Sequence, residues 1–297
     1  MGNLRHFFYF ISLGLFWGLS PSLYKLWSIE AVPVSHVLVI TGVGVGLIMG
    51  FLAWAQGKPE IFAKRIHIYG LFCGFLINLP FGLNIFLAGH VPPTDLAMVI
   101  STSPLVNYVL SLVFAQKKPD GRHLIAILLG LCSSAILILS RQGPMGGQIS
   151  GWLLISFLVP FLYAGYNWYT HNYLPDGADI YVIGMAESLW SGLIIVPLMM
   201  WFAPPSFGVA PSWIVIGSLV VAIAMWVLER VAYFTLIREK GAVYTVQAVY
   251  VSTPAAVIFA MVFFGGTNDI WLWVAMLVLM AALYFNNAMP ASKLKSA

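Results

Sequence analysis

The chain reads as an all-α integral membrane protein, with ten transmembrane helices arranged as two inverted five-helix repeats. Three observations predict this. Apolar residues make up 61% of the 297 residues and charged residues only 8%, against roughly 25% charged in soluble domains. Ten apolar segments approach the roughly 20 residues that cross a bilayer. One short pattern also occurs twice, as Ile100-Ser101-Thr102-Ser103-Pro104 and as Val249-Tyr250-Val251-Ser252-Thr253-Pro254. Its prolines stand 150 residues apart, half the chain, and the same shift lays the first half's apolar segments onto the second half's. Self-similarity at one offset marks internal duplication.

The segments follow in order. The first, 7–27, has no small-residue cleavage site after it and predicts a retained helix. The second, 34–54, stops at Gly57-Lys58-Pro59. It carries Gly42, Gly46 and Gly50 at spacing four, a face that another helix can approach closely. A helix of the same chain is the expected neighbour, with a homodimer seam as the alternative. The third, 67–88, closes before Pro92-Pro93, and the fourth, 94–115, before Lys117-Lys118-Pro119-Asp120. The fifth, 123–140, is short and precedes Gly143-Pro144. The sixth, 150–172, ends before Pro175-Asp176-Gly177, and the seventh, 180–202, before Pro204-Pro205. The eighth, 212–236, runs into Arg238-Glu239-Lys240-Gly241, and 242–264 and 270–289 complete the set. These breaks carry the proline, glycine and charge signals of turns. None is long enough for a soluble domain.

Lys and Arg sort by membrane side. Eleven of the 14 fall in loops on one side, from Arg5 to Lys293 and Lys295. Lys25 and Arg141 fall on the other, and Arg230 lies within a helix. The positive-inside rule then places both termini in the cytoplasm, in a cytoplasmic (inner or plasma) membrane. The net charge of +4 therefore needs no nucleic-acid partner. Five helices per half is an odd number, so residues 146–297 enter from the side opposite to residues 1–145. Such inverted pairs permit alternating access around a midplane site.

Helices 4 and 5 read Asp95-Leu96-Ala97-Met98-Val99-Ile100-Ser101-Thr102-Ser103-Pro104-Leu105, a Lys117-Lys118-Pro119 turn, then Ile125-Ala126-Ile127-Leu128-Leu129-Gly130. Gly241-Ala242-Val243 and Ser252-Thr253-Pro254 repeat this more loosely. Phe16-Trp17-Gly18 and Phe161-Leu162-Tyr163-Ala164 open the two halves. This ordered set resembles the drug/metabolite transporter superfamily, EamA-like branch, over nearly the whole chain. Gly265-Gly266-Thr267-Asn268 departs from it, standing where the family often has a Gly-Glu pair. The resemblance implies a ten-helix carrier of small organic molecules, with a cavity lined mainly by helices 1, 3, 4, 6, 8 and 9.

On those helices the candidate wall residues are Trp17, Tyr24, Asn78, Asn84, Met98, Ser101, Tyr163, Tyr166, Asn167, Glu229, Tyr233, Gln247 and Tyr250. Aromatic faces attract cations, and amides orient a polar cargo. Such a pocket suits a zwitterionic or cyclic metabolite. Trp27, Trp54, Trp201, Trp213 and Trp271 instead fit interfacial belts. His36, His90 and His171 lie near helix ends, where interfacial solvation is the expectation.

Charge inside a membrane is costly and usually faces protein or a wet cavity. Glu187, Glu229 and Arg230 lie at similar depth in helices 7 and 8. One reading makes all three a structural cluster. The other pairs Arg230 with one carboxylate, by preference Glu187, and leaves Glu229 facing the cavity to hold an ammonium or a coupling proton. Pro21, Pro80, Pro104, Pro160, Pro197 and Pro254 are read as helix-interior prolines that kink their helices. Pro104 and Pro254, as a symmetry pair, are candidate gating positions.

No metal-ligand spacing, nucleophile elbow or phosphate loop is present in the sequence. No cofactor is expected, and a membrane-embedded enzyme is the least supported reading. Cys73 and Cys132 both lie in apolar segments and imply no disulfide. The expectation is a metabolite carrier, monomeric or weakly dimeric, exporting amino acids or related compounds. Import, or efflux of hydrophobic amines, is the alternative.

Overall fold

The computed structural model describes residues 2–114, 121–140, 150–204, 212–240, 244–245, 247–265 and 270–287. Outside them lie the Lys117–Pro119 turn, Arg141, the Gly143–Gly147 stretch, Pro205, Gly241–Val243, Gly266–Asn268, Lys293 and Lys295.

Twelve α-helices fill the described residues, and all ten expected segments hold helix. They are α1 (Gly2–Ile29), α2 (Val34–Ala55), α3 (Lys64–Leu87), α4 (Pro93–Ile100), α5 (Ser103–Phe114), α6 (Gly121–Ser140), α7 (Gly151–Ser156), α8 (Leu158–Tyr173), α9 (Ile180–Phe202), α10 (Trp213–Lys240), α11 (Val249–Phe264) and α12 (Ile270–Asn287). A 3₁₀ turn at Pro59–Phe62 joins α2 to α3. The helices α1, α2, α3, α9 and α10 are long and apolar enough to cross a membrane, and α6, α11 and α12 are shorter apolar helices.

Helix ends follow local chemistry. The Asp179 side chain accepts from the Tyr181 N–H at 2.9 Å and caps α9. Gly265 ends α11 at φ 63°, a left-handed cap that glycine adopts without a Cβ clash.

Two expected prolines differ from their reading as helix-interior residues. The fourth segment breaks at Ser101-Thr102, so Pro104 sits in the first turn of α5. The sixth breaks at Phe157, so Pro160 sits in the first turn of α8. A first-turn residue needs no N–H partner, which is why proline is tolerated there. The Ser103 hydroxyl meets the Ile100 carbonyl at 2.5 Å, the acceptor that Pro104 cannot reach. Pro21, Pro80, Pro197 and Pro254 do lie inside their helices.

Close approach decides the packing. The glycine stripe of α2 faces α9 of the same chain. A Cβ added at Gly42 would stand 2.7 Å from the Gly192 nitrogen, and one at Gly46 equally near that of Leu189. Next, α9 lies on α3, where Gly74 faces Ser191. Helix α1 packs on α11 and α10, α3 on α8, α5 on α8, and α6 on α12.

Trp54, Trp201, Trp213 and Trp271 are exposed, as the belt reading expects. It fails for Trp27, which is fully buried and donates its indole N–H to Ser218 Oγ at 2.9 Å. His90 stacks on Trp152 with ring centres 4.3 Å apart.

Candidate functional site

A cavity of about 180 Å³ opens among α1, α2, α3, α4, α5, α8, α9, α10 and α11. Of the expected wall residues, Trp17, Tyr24, Ser101, Tyr163, Tyr166, Asn167, Glu229 and Tyr233 line it, as do Pro104 and Arg230.

One side of the cavity is built on an acid–base cluster. Arg230 Nη2 forms an ion pair with Glu187 Oε1, and its Nη1 donates to Glu229 Oε2, both at 3.0 Å. The guanidinium bridges the two carboxylates rather than choosing one. Glu187 is fully buried. Its Oε1 also accepts from the Tyr166 hydroxyl at 2.9 Å, and the Cys73 thiol lies 3.5 Å from its Oε2. Glu229, also buried but touching the cavity, accepts from the Trp17 indole N–H at 3.0 Å. Glu229 and Arg230 are neighbours, about 100° apart around α10. They still share the cavity because the long guanidinium arm folds back to its neighbour's carboxylate.

A second layer aims the aromatic hydroxyls. The amide of Asn84 donates to the Tyr163 oxygen at 3.3 Å, which directs the Tyr163 proton elsewhere. The Tyr233 hydroxyl donates to Asn167 Oδ1 at 3.2 Å. Phe81 meets Trp226 edge-on at 4.9 Å and Tyr24 at 5.5 Å, closing the other wall.

Five expected wall residues and one expected gating residue stand outside this cavity. Asn78 turns to α9, donating to the Ser191 carbonyl at 2.8 Å and accepting from its hydroxyl at 2.7 Å. Fully buried Asn84 stands behind Tyr163. Met98 is buried in the apolar core. Gln247 lies in the turn before α11, and Tyr250 packs on the core from the first turn of that helix. Pro254 lies inside α11 beside Thr253, whose hydroxyl donates to Ser101 Oγ at 2.7 Å. That contact joins the two copies of the repeated pattern.

Sequence reasoning missed Phe81, Trp226, Ser188 and Ser191 on the wall. Trp226 was within reach, because Trp226, Glu229 or Arg230, and Tyr233 recur at helical spacing on one face. Helix α9 was expected to stand away from the cavity. It reaches the wall because its small residues let α2 and α3 close on both sides of it.

Comparison with known proteins adds to this geometry. Residues 4–139 match the EamA-like transporter family. The EamA-like resemblance read from the sequence is thus borne out over that stretch, which lies in the first half, and the family is one of multi-pass membrane transporters of small molecules. A crystal structure of another protein aligns over 98% of this chain and 99% of that one, with a TM-score of 0.65 at 14% identity. At that identity the likeness is one of fold. No curated protein sequence matches. Among the described residues no group of three His, Cys, Asp or Glu side chains is placed to hold a metal ion.

Proposed function

We propose that the protein moves small organic metabolites, amino acids or related amine-bearing compounds, by alternating access at this cavity. Export across the cytoplasmic membrane is the direction favoured. In this reading ten spans form two oppositely oriented halves, residues 1–145 and 146–297, with both termini in the cytoplasm.

The carrying observation is the cavity itself. Its walls draw on α1 to α5 and on α8 to α11, and an acid–base pair, Glu229 and Arg230, faces its interior. The packing supports the two halves. Helices α2 and α9 hold equivalent segments in the two halves and lie against each other, as do α6 and α12. The contact of α1 with α11 has its counterpart in α5 with α8, and that of α1 with α10 in α3 with α8. The Ser101–Thr253 hydrogen bond joins the two copies of the repeated pattern. Substrate sites at such repeat interfaces serve both membrane faces by rocking of one bundle on the other.

Two experiments test the reading. Reporter fusions at Ala297 and within Gly143–Gly147 should report opposite sides of the membrane. The same side for both overturns the inverted arrangement. Purified protein in proteoliposomes should exchange labelled amino acids or amines, and Trp17→Ala or Tyr163→Ala should reduce that flux with expression near normal. Flux unchanged in both variants refutes the cavity as the path.

A further inference from the structure

Several hydroxyls on the cavity wall spend their protons within the protein. Ser20, Thr41, Ser101 and Ser103 each donate to a nearby backbone carbonyl, and Tyr166 donates to Glu187. Tyr163 and Asn167 of α8 differ. Both line the cavity, and spacing four puts them on one face of the helix, about 6 Å apart along its axis.

Each is held in one polarity from behind. Asn84 of α3 gives an N–H to the Tyr163 oxygen at 3.3 Å, so the Tyr163 proton is left for another acceptor. Among the described residues no acceptor meets it. Asn84 is fully buried, and its Oδ1 has no partner among the described residues. Turned over, the amide would strand an amino group with two protons instead, and unmet N–H is the rarer defect. Buried Tyr233 donates to Asn167 Oδ1 at 3.2 Å, which occupies the oxygen and leaves the Asn167 amino group to donate.

The oxygen these donors select is a neutral one. Arg230 is the single basic residue among the described residues that line the cavity, and Glu187 and Glu229 already share it. A carboxylate would enter without a counter-ion, which is costly inside a membrane. An amide or ester carbonyl brings no charge to answer.

We propose that Tyr163 and Asn167 form a subsite for a neutral carbonyl oxygen of the cargo, and that Asn84 and Tyr233 are its positioning residues. This rests on the carrier reading and names the group by which cargo is told from close analogues.

The test compares three probes on one frame, each with an ammonium group: phenylalaninamide with a neutral carbonyl, phenylalanine with a carboxylate and phenethylamine with neither. Calorimetry on the full-length protein in detergent, at one mildly acidic pH where all three amines are protonated, gives the affinities. Phenylalaninamide should bind tighter than phenethylamine by about two- to tenfold for each donor it engages. Phenylalanine should not exceed phenethylamine. Tyr163→Phe and Asn167→Leu should each cut the amide-over-amine ratio by a similar factor. Asn84→Asp puts an acceptor behind Tyr163 and draws its proton out of the cavity, so the ratio should fall although the hydroxyl remains. A merely structural Asn84 would lower stability and leave the ratio alone. Equal binding of phenylalaninamide and phenethylamine, a preference for phenylalanine, no binding of any probe, or a ratio that survives Tyr163→Phe or Asn84→Asp overturns the inference. The three probes on the unaltered protein decide even if a variant does not fold. Flux in proteoliposomes separates the two levels. If amino acids cross and the amide binds no better than the amine, the subsite fails and the carrier stands. If phenylalaninamide binds as expected and no organic solute crosses, the carrier reading fails and the subsite stands.

Discussion

Glu187 and Glu229 flank one guanidinium and live in different surroundings. On the Glu187 side, α3, α8 and α9 close around the carboxylate and supply Cys73 and Tyr166 as donors. On the Glu229 side, α1 and α10 supply Trp17 and then give way to the cavity. The difference shows how one buried cluster can serve two ends. A sealed carboxylate anchors the arginine, and an open one meets whatever enters.

Removing the shared partner should break both sides at once. Arg230→Met strands two carboxylates near each other. Stability should fall by about 3–5 kcal/mol, as when one member of a buried ion pair is lost. Thermal unfolding in detergent checks this, and a melting temperature within error of the parent would show that the bridge is dispensable. The donors should then separate the two flanks. Tyr166→Phe takes a hydrogen bond from a sealed carboxylate and should cost about 1–3 kcal/mol. Trp17→Phe takes one from a carboxylate that cavity water can reach, so it should cost about 0.5–1.5 kcal/mol and act mainly on flux. The reverse order would erase the distinction between the flanks.

The smallest effect belongs to a different ion pair. Glu239, at the end of α10, meets Arg5 at 2.6 Å and His6 at 2.5 Å, all outside the cavity. Exposed pairs of this kind contribute little and are screened by salt. Glu239→Gln should shift the melting temperature marginally at low salt and not at all at high salt. A large, salt-independent loss would show that this contact matters as much as the buried cluster.

How much of this was legible varies by residue. Segment ends were readable because Pro, Gly and charge mark them: α9 runs over 180–202, as its pattern predicted. The two copies of the Ser-Thr-Pro pattern were readable as copies and not as local structure. The first stops a helix at Ser101-Thr102, whereas the second lies within α11. A buried proline announces a disturbed hydrogen bond without saying whether the helix bends or ends. Gln247 was expected on the wall because the ninth segment, 242–264, was read as one cavity helix. The chain turns before Val249, and Gln247 lies in that turn. Asn78 illustrates the deeper limit. Its partner, Ser191, is 113 residues away, and nothing local tells whether an amide inside a helix will meet cargo or another helix. Trp27 is the same case for depth, since its place in the core depends on Ser218 of α10.

The most direct measurement of the central claim is the pair Glu187→Gln and Glu229→Gln, each assayed for melting temperature and for flux in proteoliposomes. An amide at 187 opposes donors that converge on a carboxylate, so that variant should melt lower and keep its flux in the fraction that stays folded. An amide at 229 can turn toward the cavity, so that variant should melt near the parent and lose flux or its pH dependence. The same large stability loss in both, with no separable change in flux, would contradict the account and make the cluster purely structural.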